Sequence, residues 1–147
     1  MKVINQFKMQ LDSHSANESF ARTAIATFVA QLDPTLEEIS DIRTAVSEAV
    51  TNCIVHAYKE KIGVIYITVK IYDGKKVVIR IRDKGCGIEN IEQAMQPMFT
   101  TGGPDRAGIG FAVMQSFTDK LKVSSKVGYG TTVVMHKTIA SRQNDRA

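Results

Sequence analysis

No run of apolar residues in this 147-residue chain approaches the roughly 18–20 that a membrane span needs. The opening Met1-Lys2-Val3-Ile4-Asn5-Gln6 lacks the apolar stretch of a signal peptide. The expectation is a cytoplasmic protein with no membrane contact. Cysteine is scarce. Cys53 and Cys86 are the only two and no C-x-x-C occurs, so reduced thiols are expected rather than a disulfide or a metal knuckle. Cys53 reads as an apolar helix residue and Cys86, between two glycines, as exposed or close to a ligand. Charge of one sign is not concentrated along the chain. The net charge is +4, the lysines and arginines are broken up by aspartate and glutamate, and aromatic residues do not interleave with them. A direct nucleic-acid partner is therefore not expected. Internal repeats and low-complexity segments are absent.

What is present suits one packed domain over residues 1–147, with 44% hydrophobic and 23% charged residues. Residues 2–11 alternate, with Val3, Asn5, Phe7, Met9 and Leu11 on one side, and read as a strand. Ser15 with Glu18 has the spacing of a capping box, followed by Phe20, Ala24, Ile25, Phe28 and Leu32 at helical spacing. Asp33 or Thr35 caps a second helix, with Pro34 in its first turn. Its stripe runs Leu36, Ile39, Ile42, Val46, Ala49, Val50, Cys53, Ala57. Val64–Tyr72 and Val77–Arg82 read as a hairpin across Asp73-Gly74. A short helix is expected within 88–94, a glycine-rich loop over 97–107, and a helix over 110–117. A hairpin of 121–125 with 131–137 closes the domain, and 141–147 is a polar tail that frays. Two consecutive helices and hairpin-linked strands predict a two-layer α/β sandwich of the α+β type. Its sheet would be mixed or antiparallel, with the helices on one face.

Three segments can carry chemistry. Glu48 and Asn52 lie about one helical turn apart, off the apolar stripe, with small Ala45 and Ala49 beside them and His56 on the same side. An asparagine oxygen is a hard ligand suited to magnesium, and a glutamate beside it can take a proton from an attacking hydroxyl. Asp83 ends a strand before Gly85 and Gly87. A carboxylate accepts hydrogen bonds, adenine offers an amino group, and glycine admits a flat ring close to backbone. Downstream, Thr100, Thr101 and Arg106 precede Gly108-Ile109-Gly110, where free amides at a helix start attract phosphate oxygens. The loop before them can close as a lid over a nucleotide. Thr131 can place a hydroxyl near Asp83. Each segment alone also reads as a solvated face, a turn or a surface loop. His14, His56 and His136 read as cap-region, helix-face and strand residues.

Together the three resemble the motifs of the ATPase family that unites DNA gyrase, the heat-shock chaperone of the same fold, sensor histidine kinases and mismatch-repair ATPases. Within it the chain is similar to the anti-sigma-F factors of endospore-forming bacteria, which are also serine kinases. The closer likeness lies in Asn17-Glu18-Ser19-Phe20-Ala21-Arg22, Gln31-Leu32-Asp33-Pro34-Thr35, Val46-Ser47-Glu48-Ala49-Val50-Thr51-Asn52 and Gln96-Pro97-Met98-Phe99-Thr100-Thr101. The resemblance implies a Bergerat-type sandwich that binds ATP or ADP with Mg2+. It implies a sigma factor of RNA polymerase and an anti-anti-sigma protein, phosphorylated on serine, as partners, and a homodimer. By match, Glu48 is the general base, Asn52 the magnesium ligand and Asp83 the adenine contact. Gly85, Gly87, Thr100, Thr101, Gly108, Ile109, Gly110 and Thr131 line the nucleotide, and Arg22 and Arg106 meet partners. The chain departs from the pattern at Gly102-Gly103, in a shorter lid where a lysine-proline step is usual, and at Ala57, where glycine is common. Three other readings stay open: a stress-response anti-sigma-B type kinase, a nucleotide-gated binding module without kinase activity, and the catalytic domain of a larger ATPase or histidine kinase. No phosphoacceptor-histidine helix or transducer domain is read beside it, which weighs against the last.

Overall fold

The computed structural model describes residues 1–95 and 107–140, with the side chains of residues 107–109 excepted. Two layers make up the structure. One is a five-stranded sheet in the order β1-β2-β3-β5-β4, formed by β1 (Val3–Asp12), β2 (Val64–Tyr72), β3 (Lys76–Arg82), β4 (Lys120–Lys126) and β5 (Gly130–Thr138). All four ladders are antiparallel, which settles the choice left open by the sequence. The other layer holds α1 (Ala16–Val29), α2 (Leu36–Thr51) and α4 (Ala107–Phe117), with α3 (Ile91–Ala94) a single turn. The core lies between the layers. β2 shows strict alternation: Ile65, Ile67, Val69 and Ile71 are buried against the helices and their neighbours half-exposed. Val77, Ile79 and Ile81 of β3 do the same, and they meet Ile25, Val29, Val46 and Val50 from the helices.

Among the described residues no helix packs on the sheet's outer face. Lys8, Lys70, Lys76, Arg80, Arg82, Lys120, Lys122 and Lys126 alternate with the inward residues and so point outward, with the carboxylates of Asp12 and Asp119 beside them. Pairing of antiparallel strands thus gathers on one face cations that are scattered along the chain.

Several local expectations need correction. Ser15 is helical and makes no side-chain cap bond. The entry to α1 is a backbone turn instead, with Asn17 N–H donating to the His14 carbonyl, and Glu18 is drawn to Arg22, Oε2 to Nε 3.3 Å. The true capping box is at α2: Thr35 Oγ1 accepts from Glu38 N–H at 2.9 Å while Glu38 Oε1 accepts from Thr35 N–H at 2.8 Å. Pro34 consequently precedes the cap rather than opening the helix. Phe20 (54% exposed) and Leu36 (87%) lie off the buried stripes, because α1 buries Ala21, Ile25, Ala26 and Val29 against α2. The short helix spans only Ile91–Ala94. Helix α4 begins at Ala107, so Gly108 and Ile109 lie inside its first turn rather than before it.

One element has no counterpart in the sequence reading. After Thr51 the helix widens into a π-helical segment, Asn52–Ala57, which Tyr58 N–H closes by donating to the Cys53 carbonyl at 3.1 Å. The wider winding leaves the Ala57 carbonyl available, and Cys86 N–H donates to it at 3.1 Å. Such segments recur at functional sites.

Candidate nucleotide site

A cleft opens between the layers. Asn52, Cys53 and His56 of the π-helical segment line one side, Cys86, Gly87 and Ile88 another, Phe111 of α4 a third, and Ile81, Asp83, Thr131 and Val133 the floor. Their spacing puts Asn52, Cys53 and His56 on one face of the segment.

Asp83 is 5% exposed. Its Oδ1 accepts from Gly85 N–H at 2.9 Å and from Thr131 N–H at 3.2 Å. Its Oδ2 accepts from the Cys53 thiol at 3.6 Å, a usual distance for the larger sulfur atom. Burial pushes the Asp83 carboxyl above its ordinary range, and the three donors pull it partly back. Burial, then the Asp83 charge, pushes the Cys53 thiol well up, so it stays protonated and donating. One carboxylate oxygen is thus saturated by backbone and the other retains acceptor capacity at the cleft floor.

The hydroxyl expected of Thr131 does not reach Asp83. It pairs with Ser125 Oγ at 2.8 Å, which also accepts from Ile88 N–H at 2.7 Å. It is the Thr131 amide that meets the carboxylate. The glycines also act differently from the expected base-stacking role. A Cβ on Gly85 would collide with the Ala57 carbonyl, and one on Gly87, at φ +78°, with the Lys126 carbonyl. Both are required by protein backbone, and only Gly87 lines the cleft. Tyr58 clamps the same turn. Its hydroxyl donates to the Val64 carbonyl and accepts from Lys84 N–H, both at 2.6 Å.

Glu48 and Asn52 converge on the first turn of α4. A Cβ built on Gly110 would lie 3.2 Å from Glu48 Oε2 and 3.3 Å from Asn52 Oδ1. Among the described residues Asn52 Nδ2 is buried without a hydrogen-bond partner. An unmatched buried amide costs about 1–3 kcal/mol, and that penalty is relieved where a bound group supplies the contact. Asn52 therefore fits a site for a hydrated cation and its phosphates, its carboxamide offering an oxygen ligand and an N–H donor. Glu48 also lines a neighbouring groove with Arg22, Ser40, Arg43, Thr44 and Ser47. Thr100, Thr101, Arg106 and the lid fall outside the described residues, as does the tail from Ser141.

Sequence reasoning missed Cys53, Ile88 and Phe111 and placed His56 beside the pair without a role of its own. Cys53 carries no signal of its role, since it sits on the apolar stripe as its spacing demands. His56 had one, its position beside Asn52.

Residues 12–137 match the histidine kinase-like ATPase domain family. The chain is 57% identical over 143 residues to the anti-sigma F factor of Thermoanaerobacter sp. (strain X514), which covers 96% of this chain and 99% of the relative. It is 50% identical to the anti-sigma F factor of Clostridium acetobutylicum, over 92% of this chain and 95% of that one. The chain belongs to the anti-sigma F factor family of histidine kinase-like ATPases. The fold agrees with solved structures at lower identity. Against the RsbU and RsbW domains of Rv1364c from Mycobacterium tuberculosis the TM-score is 0.69 at 17% identity, over 93% of this chain and 33% of that longer one. Against a blue-light activated histidine kinase domain from Erythrobacter litoralis the TM-score is 0.57 at 20% identity, over 83% of this chain and 60% of that one. An ATPase domain of this family implies ATP or ADP as ligand. No described helix is long and apolar enough to cross a membrane.

Proposed function

We propose that the chain is an ATP-dependent protein serine kinase that also holds a sigma factor of the sporulation F type inactive, and that its phosphoacceptor is a serine of an anti-anti-sigma protein. The relatives' names support the sigma-factor half of this reading. The geometry supports the kinase half, and one observation carries it: Glu48 and Asn52 meet at the first turn of α4, beside a cleft floored by a buried carboxylate with an acceptor to spare.

Phosphoryl transfer needs alignment and charge neutralisation more than covalent help. When bound, magnesium neutralises the triphosphate and ATP supplies the phosphoryl group. Asp83 accepts the amino N–H of adenine at Oδ2. Ile88, Val133 and Phe111 exclude water around the base. Asn52 holds the cation through its carboxamide oxygen. The amides of the first turn of α4, at Gly108, Ile109 and Gly110, donate to phosphate oxygens, with Gly110 small enough to leave Glu48 and Asn52 room. Glu48 takes the proton of the incoming serine. Thr100 and Thr101 extend the nucleotide contacts. Arg22, in the same groove as Glu48, and Arg106 meet the protein partners. The cytoplasm as compartment and a homodimeric state belong to the same reading.

Glu48→Ala is expected to keep its affinity for a fluorescent ATP analogue and to lose transfer of radiolabelled phosphate to the partner by about 10²–10⁴-fold, the usual span of a general base. Wild-type labelling by that variant would remove Glu48 as base. If the unaltered chain also transfers none while still gripping its sigma factor in a nucleotide-dependent way, the protein is a binding module and not a kinase.

A further inference from the structure

The thiol of Cys53 is the donor the structure shows on Asp83 Oδ2. It is 3% exposed and lies in the cleft wall. Neither the family motifs nor the chemistry of transfer calls for a sulfur here, yet it contacts the atom on which base recognition depends. We propose that Cys53 is a positioning residue: its S–H fixes the plane of the Asp83 carboxylate, so that the remaining lone pair of Oδ2 faces the cleft and selects a purine bearing an exocyclic amine. The inference rests on the adenine-nucleotide reading of the cleft.

The argument is one of rotational freedom. A carboxylate turns about its terminal bond in a broad, two-fold well. The amides of Gly85 and Thr131 both hold Oδ1, at 2.9 and 3.2 Å. The two oxygens turn together as one plane, so these donors restrain it from one edge only. The thiol restrains the opposite edge, at Oδ2. Oδ2 keeps a further lone pair for a ligand amine beside the thiol. A serine there would hold the plane more firmly, an alanine not at all. The sulfur sits between the small side chains Ala49 and Ala57 on the same wall, so it fills volume without blocking the base.

The test separates orientation from mere packing. Affinities of the full-length chain, Cys53→Ala and Cys53→Ser are measured for ATP and for purine riboside triphosphate, the same nucleotide without the amino group. Fold is checked by melting temperature and near-ultraviolet circular dichroism. The parent is expected to prefer ATP strongly. Cys53→Ala is expected to reduce that preference about tenfold, chiefly by weakening ATP, because the amine no longer meets an aimed oxygen. Cys53→Ser is expected to restore it. A purely structural role would weaken both nucleotides by the same factor in Cys53→Ala and leave the preference intact, and that result overturns the proposal. Should Cys53→Ala not fold, the Ser variant still decides, since a preference well below the parent's in a folded Cys53→Ser protein also overturns it. If the unaltered chain binds both nucleotides equally, it is the adenine reading of Asp83 that fails, a result distinct from any difference among the variants.

Discussion

Asp83 sits in surroundings that favour its neutral form, whereas the proposed adenine contact uses its carboxylate. Burial raises its pKa in the folded state, so between its unfolded and folded pKa values the native protein binds the extra proton. Stability from this group is therefore present below the unfolded value and is lost as pH rises through the folded one. Asp83→Asn is predicted to melt no lower than the parent at pH 7 in a calorimeter while losing ATP binding, because an amide offers a donor toward the adenine amine. A fall in Tm of more than about 5 °C, on the order of 1 kcal/mol for a domain of this size, would show the carboxylate to be net stabilising. Asp83, Glu48 and Asn52 were picked out in the sequence because their segments occur together, each alone reading as a solvated face or a turn. Cys53 was not, because its stripe position explained it fully. Gly85 and Gly87 were found for an incomplete reason, since the collisions they avoid are with the Ala57 and Lys126 carbonyls, backbone that no local pattern reveals.

Secondary-structure elements were read well where side chains alternate and less well where ends are decided by single hydrogen bonds. β2 was bounded correctly because its β-branched run is continuous and flanked by Gly63 and Asp73-Gly74. The two candidate caps look alike in sequence, Ser15 with Glu18 and Thr35 with Glu38, and differ only in backbone: Ser15 is helical, whereas Thr35 is extended at ψ 164° and free to turn its hydroxyl onto Glu38 N–H. Thr35→Ala is accordingly predicted to lower urea stability by about 1 kcal/mol, and Ser15→Ala to change it by less than about 0.5 kcal/mol. Equal losses in chemical denaturation would contradict the assignment. The π-helical turn was invisible because Asn52–Ala57 has an ordinary helical composition. Its end is tied to the Cys86 amide, 29 residues beyond Ala57.

For the whole molecule, element order and two-layer packing followed from the sequence, but the distribution of charge did not. Lys8, Arg80 and Lys122 stand in one cross-strand row, through Thr68 and Val134. Each cation is about 10 Å from the next at ordinary strand spacing. At low salt such charges repel, and at about 0.15 M, where screening acts within about 8 Å, they largely cease to. Raising salt from about 10 mM to 150 mM is predicted to raise the melting temperature, and Lys122→Glu to shrink that gain. Scanning calorimetry of both proteins checks it, and a melting temperature that drops with salt in both would refute it. The uncovered face also gives the molecule an electrical front and back. On a sulfonated resin or any other polyanionic support it would settle sheet-side down, presenting the helices and the mouth of the cleft to the buffer, so that a sensor surface of that chemistry would orient the protein without a tag.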